Sequence, residues 1–273
     1  MSVLYVVGTP IGNLQDFSPR AVETLRSVDF IAAEDTRVTL KLLNHFDIKK
    51  PLVSYYEHNL RQRGEQIVER ILAGETCAVV SDAGMPCISD PGEDLVKLCA
   101  AASIPVRVIP GPSAVISALA VSGLSTSRFT FEGFLSTANK SRMEHLNSVR
   151  EEKRTMVFYE APHKLLSTLE DMRQVFGGER RISLCREITK IYEEVVRMTF
   201  DEAVDYYTQN KPKGEFVLVI EGKPEEEAAE ITLEDAVAMA KALVEQGEKA
   251  TEAAKKIAKQ TDFSKSDIYK NLI

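Results

Sequence analysis

The 273-residue chain has few cysteines, and none of them has the spacing of a metal-binding pair. Its four cysteines are Cys77, Cys87, Cys99 and Cys185, and no C-x-x-C pattern occurs. They are therefore interpreted as small buried hydrophobes rather than zinc ligands or disulfide partners. The four histidines are scattered, and an H-E-x-x-H motif is missing. No metal site is expected.

Long hydrophobic runs are also missing. No stretch reaches the roughly 18 apolar residues of a membrane-spanning helix, and no basic segment precedes the strand-like run Val3–Val7. The sequence therefore predicts a cytoplasmic protein that does not contact a membrane. Its formal net charge of -7 argues against polyanion binding over the whole surface but is compatible with local basic patches.

The usual phosphate-binding and nucleophile motifs are absent as well. No glycine-rich loop ends in Gly-Lys-Ser/Thr, the segment 8–12 does not follow G-x-G-x-x-G, and there is no nucleophile elbow. What the chain does contain is an alternation of short apolar runs with helical patterns, each run ending in a loop of Gly, Pro or Ser. This alternation is typical of a mostly parallel α/β sheet.

Polar loops beginning at Gly8, Ser81 and Gly111 follow predicted strands. Because the carboxyl ends of parallel strands meet at one edge of a sheet, the loops are expected to gather there. The segment 81–92 has two Ser-Asp pairs, two glycines and two prolines, so it offers hydroxyls, carboxylates and free N–H groups. Such a loop is suited to hold a polar small molecule.

The predicted domain organisation has two α/β halves and a helical appendage. Residues 1–122 form an N-terminal α/β domain, and residues 123–223 form a second α/β domain with a mixed sheet. An acidic linker over 224–230 leads to a helix-turn-helix-like bundle over 231–273, which carries clustered lysines. The lysines favour nucleic-acid binding, but a structural bundle with solvated lysines is an equally valid interpretation.

Six ordered motifs resemble those of the tetrapyrrole methylase family. They occupy residues 8–14, 34–37, 81–92, 110–114, 158–163 and 187–190. The resemblance extends over about residues 3–221 and implies an S-adenosylmethionine-dependent methyltransferase with a cofactor cleft between two α/β domains. The chain departs from the family pattern at Met85, where Thr is commoner, and at Lys164, where Arg is common.

Within that family, the chain resembles the branch that methylates the 2′-hydroxyl of a cytidine ribose in small-subunit (16S) ribosomal RNA. The resemblance implies a homodimer whose substrate is the RNA or the 30S subunit. It also implies contacts to the cofactor from ten residues. These are Pro10, Ser81, Asp82, Ala83, Gly84, Ser113, Ala114, Tyr159, Glu160 and Ala161.

The sulfonium of the cofactor already activates the methyl group, so the protein has to align the attacking hydroxyl and accept its proton. Side chains at strand ends are the candidates for the proton acceptor, and the sequence does not rank them. They are Asp35, Glu160, His163 and Glu187. Basic side chains are predicted to contact the RNA backbone. They are His58, Arg61, Arg63, Lys140, Arg142 and Lys164.

Other functions stay open at this point. One is methylation of a tetrapyrrole or another small molecule; the other is RNA binding without catalysis. The lysine-bearing bundle and the basic segment near residues 55–63 count against a small substrate, which needs neither. The concentration of polar loops at strand ends counts against a scaffold without chemistry.

Overall fold

The computed structural model describes residues 2–56, 60–90, 92–224 and 231–272. The chain divides into two compact units, Met1–Lys223 and Pro224–Ile273. Among the described residues, the larger unit contains two five-stranded sheets and the smaller unit is helical. The α/β class predicted from the sequence is confirmed.

The first sheet is parallel throughout its described strands, in the order β3-β2-β4-β1-β5. Its strands are β1 (Val3–Val7), β2 (Phe30–Ala33), β3 (Leu52–Ser54), β4 (Thr76–Val80) and β5 (Val106–Ile109). The helices between them are α1 (Pro19–Ser27), α2 (Thr36–His45), α3 (Leu60–Leu72) and α4 (Gly92–Ala101). Hydrophobic clusters cover both faces, which explains why the strands are continuous apolar runs.

Local signals in the sequence set where α1 begins. The Ser18 hydroxyl accepts a hydrogen bond from the Ala21 N–H at 3.1 Å, and Pro19 occupies the first helical position. Both residue types are favoured there because the first turn of a helix leaves N–H groups without partners. Ala21 and Leu25 are buried against the sheet, as their spacing predicts.

The second sheet is mixed, in the order β6-β7-β10-β8-β9, with β6 parallel to β7 and the other pairs antiparallel. Its strands are β6 (Phe129–Phe134), β7 (Thr155–Glu160), β8 (Arg181–Arg186), β9 (Glu194–Thr199) and β10 (Phe216–Ile220). The helices α6 (Asn139–Ser148), α7 (Leu165–Phe176) and α8 (Phe200–Gln209) contribute to its main core.

The helix α5 (Ala114–Val121) leads from the first sheet to the second. The sequence placed it in the N-terminal domain, but its buried Val115, Ala118 and Leu119 pack with Val157 and Val219 of the second sheet. Burial of this apolar face associates α5 with the second half of the chain. The division at residues 122–123 stays a prediction, because residues 1–223 form one compact unit.

The C-terminal unit consists, in its described part, of α9 (Leu233–Glu245), α10 (Ala250–Ala258) and α11 (Lys265–Leu272). Buried alanines at 236, 240 and 254 let the helices approach closely, and Ile257 and Ile268 complete the core. Except for Pro224, the predicted linker lies outside the described residues. Within the described ranges, no helix has the length and apolarity needed to cross a membrane.

The loops after β1, β4 and β5 meet at the carboxyl edge of the first sheet. Thr9 and Gly84 exchange backbone hydrogen bonds, with N···O distances of 2.9 and 3.2 Å. On the other side of the β1 loop, a Cβ atom added to Gly111 would lie 2.9 Å from the Gly8 Cα. The two glycines therefore allow a backbone contact that any side chain would prevent.

This contact predicts that Gly111→Ala lowers the free energy of unfolding by about 1–3 kcal/mol, because the obstructing atoms belong to the Gly8 backbone. Gly64→Ala is the matched control. Its Cβ would meet the end of the flexible Leu98 side chain, and alanine gains about 1 kcal/mol of helix propensity in α3. Urea unfolding should show a clear loss only for Gly111→Ala; equal losses would contradict this account.

Candidate active site

A cavity of about 550 Å³ lies between the carboxyl edge of the first sheet and the second sheet. Its wall is built by the loops after β2, β4 and β5 and by residues at the ends of β7, β8 and β10. The volume falls within the range that holds small molecules and cofactors. In an open α/β sheet this edge is the expected position of a ligand, because the loops after neighbouring strands diverge there.

All but one of the predicted cofactor contacts line this cavity. They are Ser81, Asp82, Ala83, Gly84, Ser113, Ala114, Tyr159, Glu160 and Ala161. The exception, Pro10, lines a neighbouring cavity of about 350 Å³ that shares Ser81 and Asp82 with the first. The structure thus brings nearly the whole predicted set together, while the individual binding roles stay predictions.

The N-terminus of α5 opens at the cavity. Ser113 is its N-cap residue, and the Ser113 side chain makes no capping hydrogen bond among the described residues. Both Ser113 and Ala114 line the cavity wall. Free N–H groups and the positive end of the helix dipole favour an anionic group at such a position.

Carboxylates without a paired cation lie at another part of the wall. Glu34 follows β2 and Asp82 lies beyond β4, and these strands pair in parallel with Ala33 opposite Val80. The Asp82 N–H lies 3.5 Å from the Glu34 Oε2. Burial, and next the charge of Asp82, raise the pKa of Glu34. Burial also raises the pKa of Asp82, helped by the charge of Asp35.

A third part of the wall is held by an ion-pair cluster. The Lys190 Nζ lies 2.8 Å from the Glu187 Oε1 and 2.9 Å from the Glu215 Oε2. The Glu215 N–H also donates to the Glu187 Oε1 at 2.9 Å. The hydrogen bond from Lys190 lowers the pKa of Glu187. This makes Glu187, one of the predicted proton acceptors, a weak base whose carboxylate is already engaged.

The loop after β4 is held in a strained conformation by its own carboxylate. Cys87 and Ser89 have φ values of 72° and 65°, in the left-handed region. The Asp90 Oδ1 accepts hydrogen bonds from the Cys87 and Gly92 N–H groups at 2.8 and 2.9 Å. Asp90 therefore compensates the backbone strain, which costs of order 1–3 kcal/mol per residue. Strain of this kind is common where a loop has to face a ligand.

Met85, at which the sequence departs from the family pattern, connects neighbouring loops. Its sulfur lies 3.2 Å from the Gly111 N of the β5 loop and accepts a hydrogen bond from it. The side chain also lines the cavity. Met85 therefore joins the β4 loop to the β5 loop.

The other predicted proton acceptors are held by neighbours or lie away from the cavity. The hydrogen bond from Arg37 lowers the pKa of Asp35 to about 2, and Asp35 is not a lining residue. The Glu160 Oε2 accepts from the Thr168 hydroxyl at 2.6 Å, so this carboxylate fastens β7 to α7. His163 is exposed and lies outside the lining.

Arg142, one of the predicted RNA contacts, is largely buried and pairs with a residue of the protein itself. The side chain of Arg142 is 14% exposed, and its Nε lies 2.6 Å from the Asp171 Oδ2. Its Nη1 also lies 3.4 Å from the backbone carbonyls of Ser136 and Thr137. This arginine joins α6 to α7. The sequence could not distinguish it from a surface arginine, because its partner lies far along the chain.

The remaining basic candidates differ in exposure. The side chains of Arg61 and Lys140 are 95% and 89% exposed. Arg63 donates to Gln66 on the same helix at 2.8 Å, and Lys164 is half-buried at the N-cap of α7. His58 lies outside the described residues. The roles of these residues in RNA binding stay predictions.

Sequence reasoning did not assign site roles to several lining residues. Glu34 had a signal, since a charged residue directly after a buried strand marks the ligand edge of a parallel sheet. Phe134 ends β6, is 62% exposed, and has its ring 5.2 Å from that of Tyr159. Nothing in the sequence indicated that Phe134 would face the same cavity as Lys190.

The sequence profile described as Tetrapyrrole (Corrin/Porphyrin) Methylases matches residues 3–204. This is well over half of the chain. The chain belongs to the tetrapyrrole methylase family. The predicted resemblance is therefore confirmed, and so is the prediction that the protein is a methyltransferase.

Several relatives in this family carry the name ribosomal RNA small subunit methyltransferase I. The protein of that name from Synechocystis sp. is 48% identical over 269 residues, covering 98% of this chain and 96% of the relative. The Bacillus subtilis protein is 42% identical over 273 residues, covering 98% and 93%. The match to the Thermotoga maritima protein, 48% identical, covers 100% of that protein but 82% of this chain.

Solved structures support the tetrapyrrole methylase fold. A diphthine synthase superposes with a TM-score of 0.64 at 14% identity, covering 81% of this chain and 90% of that one. A uroporphyrin-III-C-methyltransferase from Thermus thermophilus has a TM-score of 0.57 at 18% identity, covering 82% and 95%. At these identities the likeness concerns the fold alone.

Tetrapyrrole methylases use S-adenosylmethionine as methyl donor, and the cavity fits this molecule. The N-terminus of α5 is suited to its carboxylate, and the Asp82 carboxylate is suited to its positive charges. Apolar lining side chains such as Ile11 and Ile188 provide a surface for the adenosine. The predicted cofactor is confirmed at the level of the family.

The ion-pair cluster yields a pH-dependent prediction for Lys190→Met. Losing a charged partner of the largely buried Glu187 should cost about 1.5–3 kcal/mol of stability at pH 7. Because the folded-state pKa of Glu187 is lowered, this contribution is complete above its ordinary value of 4.5 and is lost as the pH falls below it. Denaturant unfolding at several pH values measures the effect.

Lys97→Met is the matched control for this substitution. Lys97 also pairs with a glutamate, Glu93 at 2.6 Å, but both side chains are 64% exposed. Its loss should cost less than about 1 kcal/mol. If Lys190→Met were no more damaging than Lys97→Met, or if its effect did not depend on pH in the acid range, the cluster would not stabilise the fold.

Proposed function

We propose that this chain transfers a methyl group from S-adenosylmethionine to the 2′-hydroxyl of a cytidine ribose in small-subunit ribosomal RNA. The observation that carries the proposal is the match over 98% of the chain to relatives named ribosomal RNA small subunit methyltransferase I. The cofactor supplies a methyl group that is already activated by its sulfonium. The protein therefore has to exclude water, align the ribose hydroxyl and accept its proton.

Exposed basic side chains support an RNA substrate. Arg61 and Lys140 project largely into solvent and provide charges for a phosphate backbone. A ribose 2′-hydroxyl is most accessible in a single-stranded or looped segment, which is where RNA-specific recognition usually occurs. We therefore favour ribosomal RNA, alone or in the 30S subunit, over a tetrapyrrole as the acceptor.

We further propose that the enzyme is a cytoplasmic homodimer, as the family resemblance implies. The support from this chain is the edge strand β5, whose Val106 and Val108 are 37% and 58% exposed. Edge strands with exposed apolar side chains tend to be covered by another chain or element. A second copy of the protein is the occupant that the family resemblance indicates.

The proposed activity predicts that the purified chain adds labelled methyl groups to small ribosomal subunits whose RNA lacks 2′-O-methylcytidine. After digestion to nucleosides, the label should be found in 2′-O-methylcytidine. Uroporphyrinogen III, offered in a parallel reaction, should remain unlabelled. Label in the tetrapyrrole, or in a base rather than a ribose, would contradict the proposal.

The C-terminal unit is proposed to assist RNA binding without taking part in cofactor binding. The match to the Thermotoga maritima relative covers all of that protein but only 82% of this chain. Part of this chain therefore has no counterpart in a protein that carries the same name as the other relatives. Deleting residues 228–273 should leave S-adenosylmethionine affinity within about threefold and weaken RNA affinity at least tenfold, since basic contacts add roughly independently. Calorimetry measures the affinity for S-adenosylmethionine, and filter binding measures the affinity for RNA. An unchanged RNA affinity would show that the C-terminal unit has only a structural role.

A further inference from the structure

The four proton acceptors predicted from the sequence leave the reaction without a suitable base. Asp35 is bound by Arg37, and Glu187 is bound by Lys190. Glu160 is fastened to Thr168, and His163 lies outside the lining. Each of these three carboxylates already accepts a hydrogen bond from a donor of the protein itself. A proton acceptor for the ribose hydroxyl has to be sought elsewhere on the cavity wall.

Glu34 is a lining carboxylate in a different situation. It is half-buried directly after β2, at the edge of the sheet where the polar loops converge. The Asp82 N–H approaches its Oε2 only at a long distance of 3.5 Å. Among the described residues, no lysine, arginine or histidine forms an ion pair with it. A carboxylate in this state retains its ability to accept a proton.

The charged groups that face Glu34 come from two parts of the chain. Asp82 and Asp90 belong to the loop between β4 and α4, and Asp35 lies at the start of α2. Arg37 is the nearby cation, but Asp35 holds its guanidinium, and its field acts on Asp82. Burial and then the negative charge of Asp82 raise the pKa of Glu34, which makes it a stronger base than an exposed glutamate.

The cavity wall has other ionisable groups besides Glu34, Asp82 and Asp90. They are Tyr159, Glu160, Cys185, Glu187, Lys190 and Glu215. Among them, the lysine is neutralised by two carboxylates. No other described cation of the wall therefore balances the charge near Glu34.

We propose that the Glu34 carboxylate is the general base that accepts the proton of the attacking ribose hydroxyl. This inference rests on the proposed function. As the bond between the ribose oxygen and the methyl carbon forms, the bond between that carbon and the sulfur breaks, and the sulfur keeps the electron pair. The hydroxyl proton passes to Glu34, so the products are the methyl ether, a neutral thioether and a protonated glutamate.

A second role for Glu34 has to be distinguished from this one. A carboxylate at the wall could instead bind the positive charge of the cofactor, in which case its loss would weaken cofactor binding. A base would mainly affect the rate of the bound complex and its dependence on pH. The two roles therefore differ in cofactor affinity, which is measured without turnover.

The test compares Glu34→Gln and Glu34→Asp with Glu23→Gln, which removes an exposed carboxylate on α1. Small ribosomal subunits lacking 2′-O-methylcytidine serve as substrate, and both kcat and kcat/KM are measured between pH 5 and pH 9. Calorimetry gives the dissociation constant of S-adenosylmethionine. Thermal unfolding at pH 5 and pH 8 shows whether each variant folds. Because the pKa of Glu34 is raised in the folded state, deprotonating it costs stability as the pH rises, and Glu34→Gln should lose less stability between pH 5 and pH 8 than the wild type.

We expect Glu34→Gln to lower kcat by about 10²–10⁴-fold and to abolish the rise of rate with pH that the wild type shows in the acid range. Cofactor affinity should stay within about threefold. Glu34→Asp should retain the pH-dependent limb at a reduced rate, and Glu23→Gln should behave as the wild type.

Contrary results separate the inference from the function on which it rests. An active wild type combined with a fully active Glu34→Gln, or with an unchanged pH profile, would overturn the base assignment alone. A parallel loss of rate and cofactor affinity would assign Glu34 to cofactor binding and overturn it too. A wild type that leaves the ribose unmethylated would overturn the proposed function together with this inference.

Discussion

The contact between the β1 loop and the loops on either side of it is the constraint on which the cavity depends. In the first sheet β1 lies between β4 and β5, so its loop must pass between the other two. Gly8 meets Gly111 on one side, and Thr9 pairs with Gly84 on the other. Because these are backbone contacts, they fix the loops more rigidly than side chains would. The positions of the β4 and β5 loops, and hence of much of the cavity wall, follow from this.

The cavity wall is not optimised for stability. It includes left-handed non-glycine residues at Ser89 and Glu187, and carboxylates such as Glu34 whose pKa is raised by burial. Each costs folding free energy that the apolar clusters on both sheets offset. Unfavourable groups gathered at one cavity are typical of a functional site. The carboxylates of the described wall also differ from one another, because Glu187 and Glu215 form ion pairs with Lys190 whereas Glu34 forms none.

Local signals in the sequence predicted the elements well. The apolar alternation gave the strands, the Ser18 cap gave the start of α1, and the pattern after the acidic segment gave α9. Long-range packing was less accessible. The association of α5 with the second sheet and the pairing of Arg142 with Asp171 join residues that are distant in sequence. The motifs located the site because the positions of the loops follow from the order of the strands. The partner of an individual side chain does not follow from strand order, so it could not be predicted.

Neighbouring residues at the end of β2 illustrate the limit of reading function from motifs. Glu34 and Asp35 are both acidic and adjacent, yet Glu34 lines the cavity while Asp35 caps α2 and binds Arg37. The chemical difference is large, because the arginine lowers the pKa of one carboxyl and burial raises that of the other. A cationic methyl donor would lower the pKa of any carboxylate that faces it. The negative charges of the carboxylates around Glu34 raise its pKa and so oppose this lowering. They therefore keep Glu34 able to accept a proton beside the positive charge of the methyl donor.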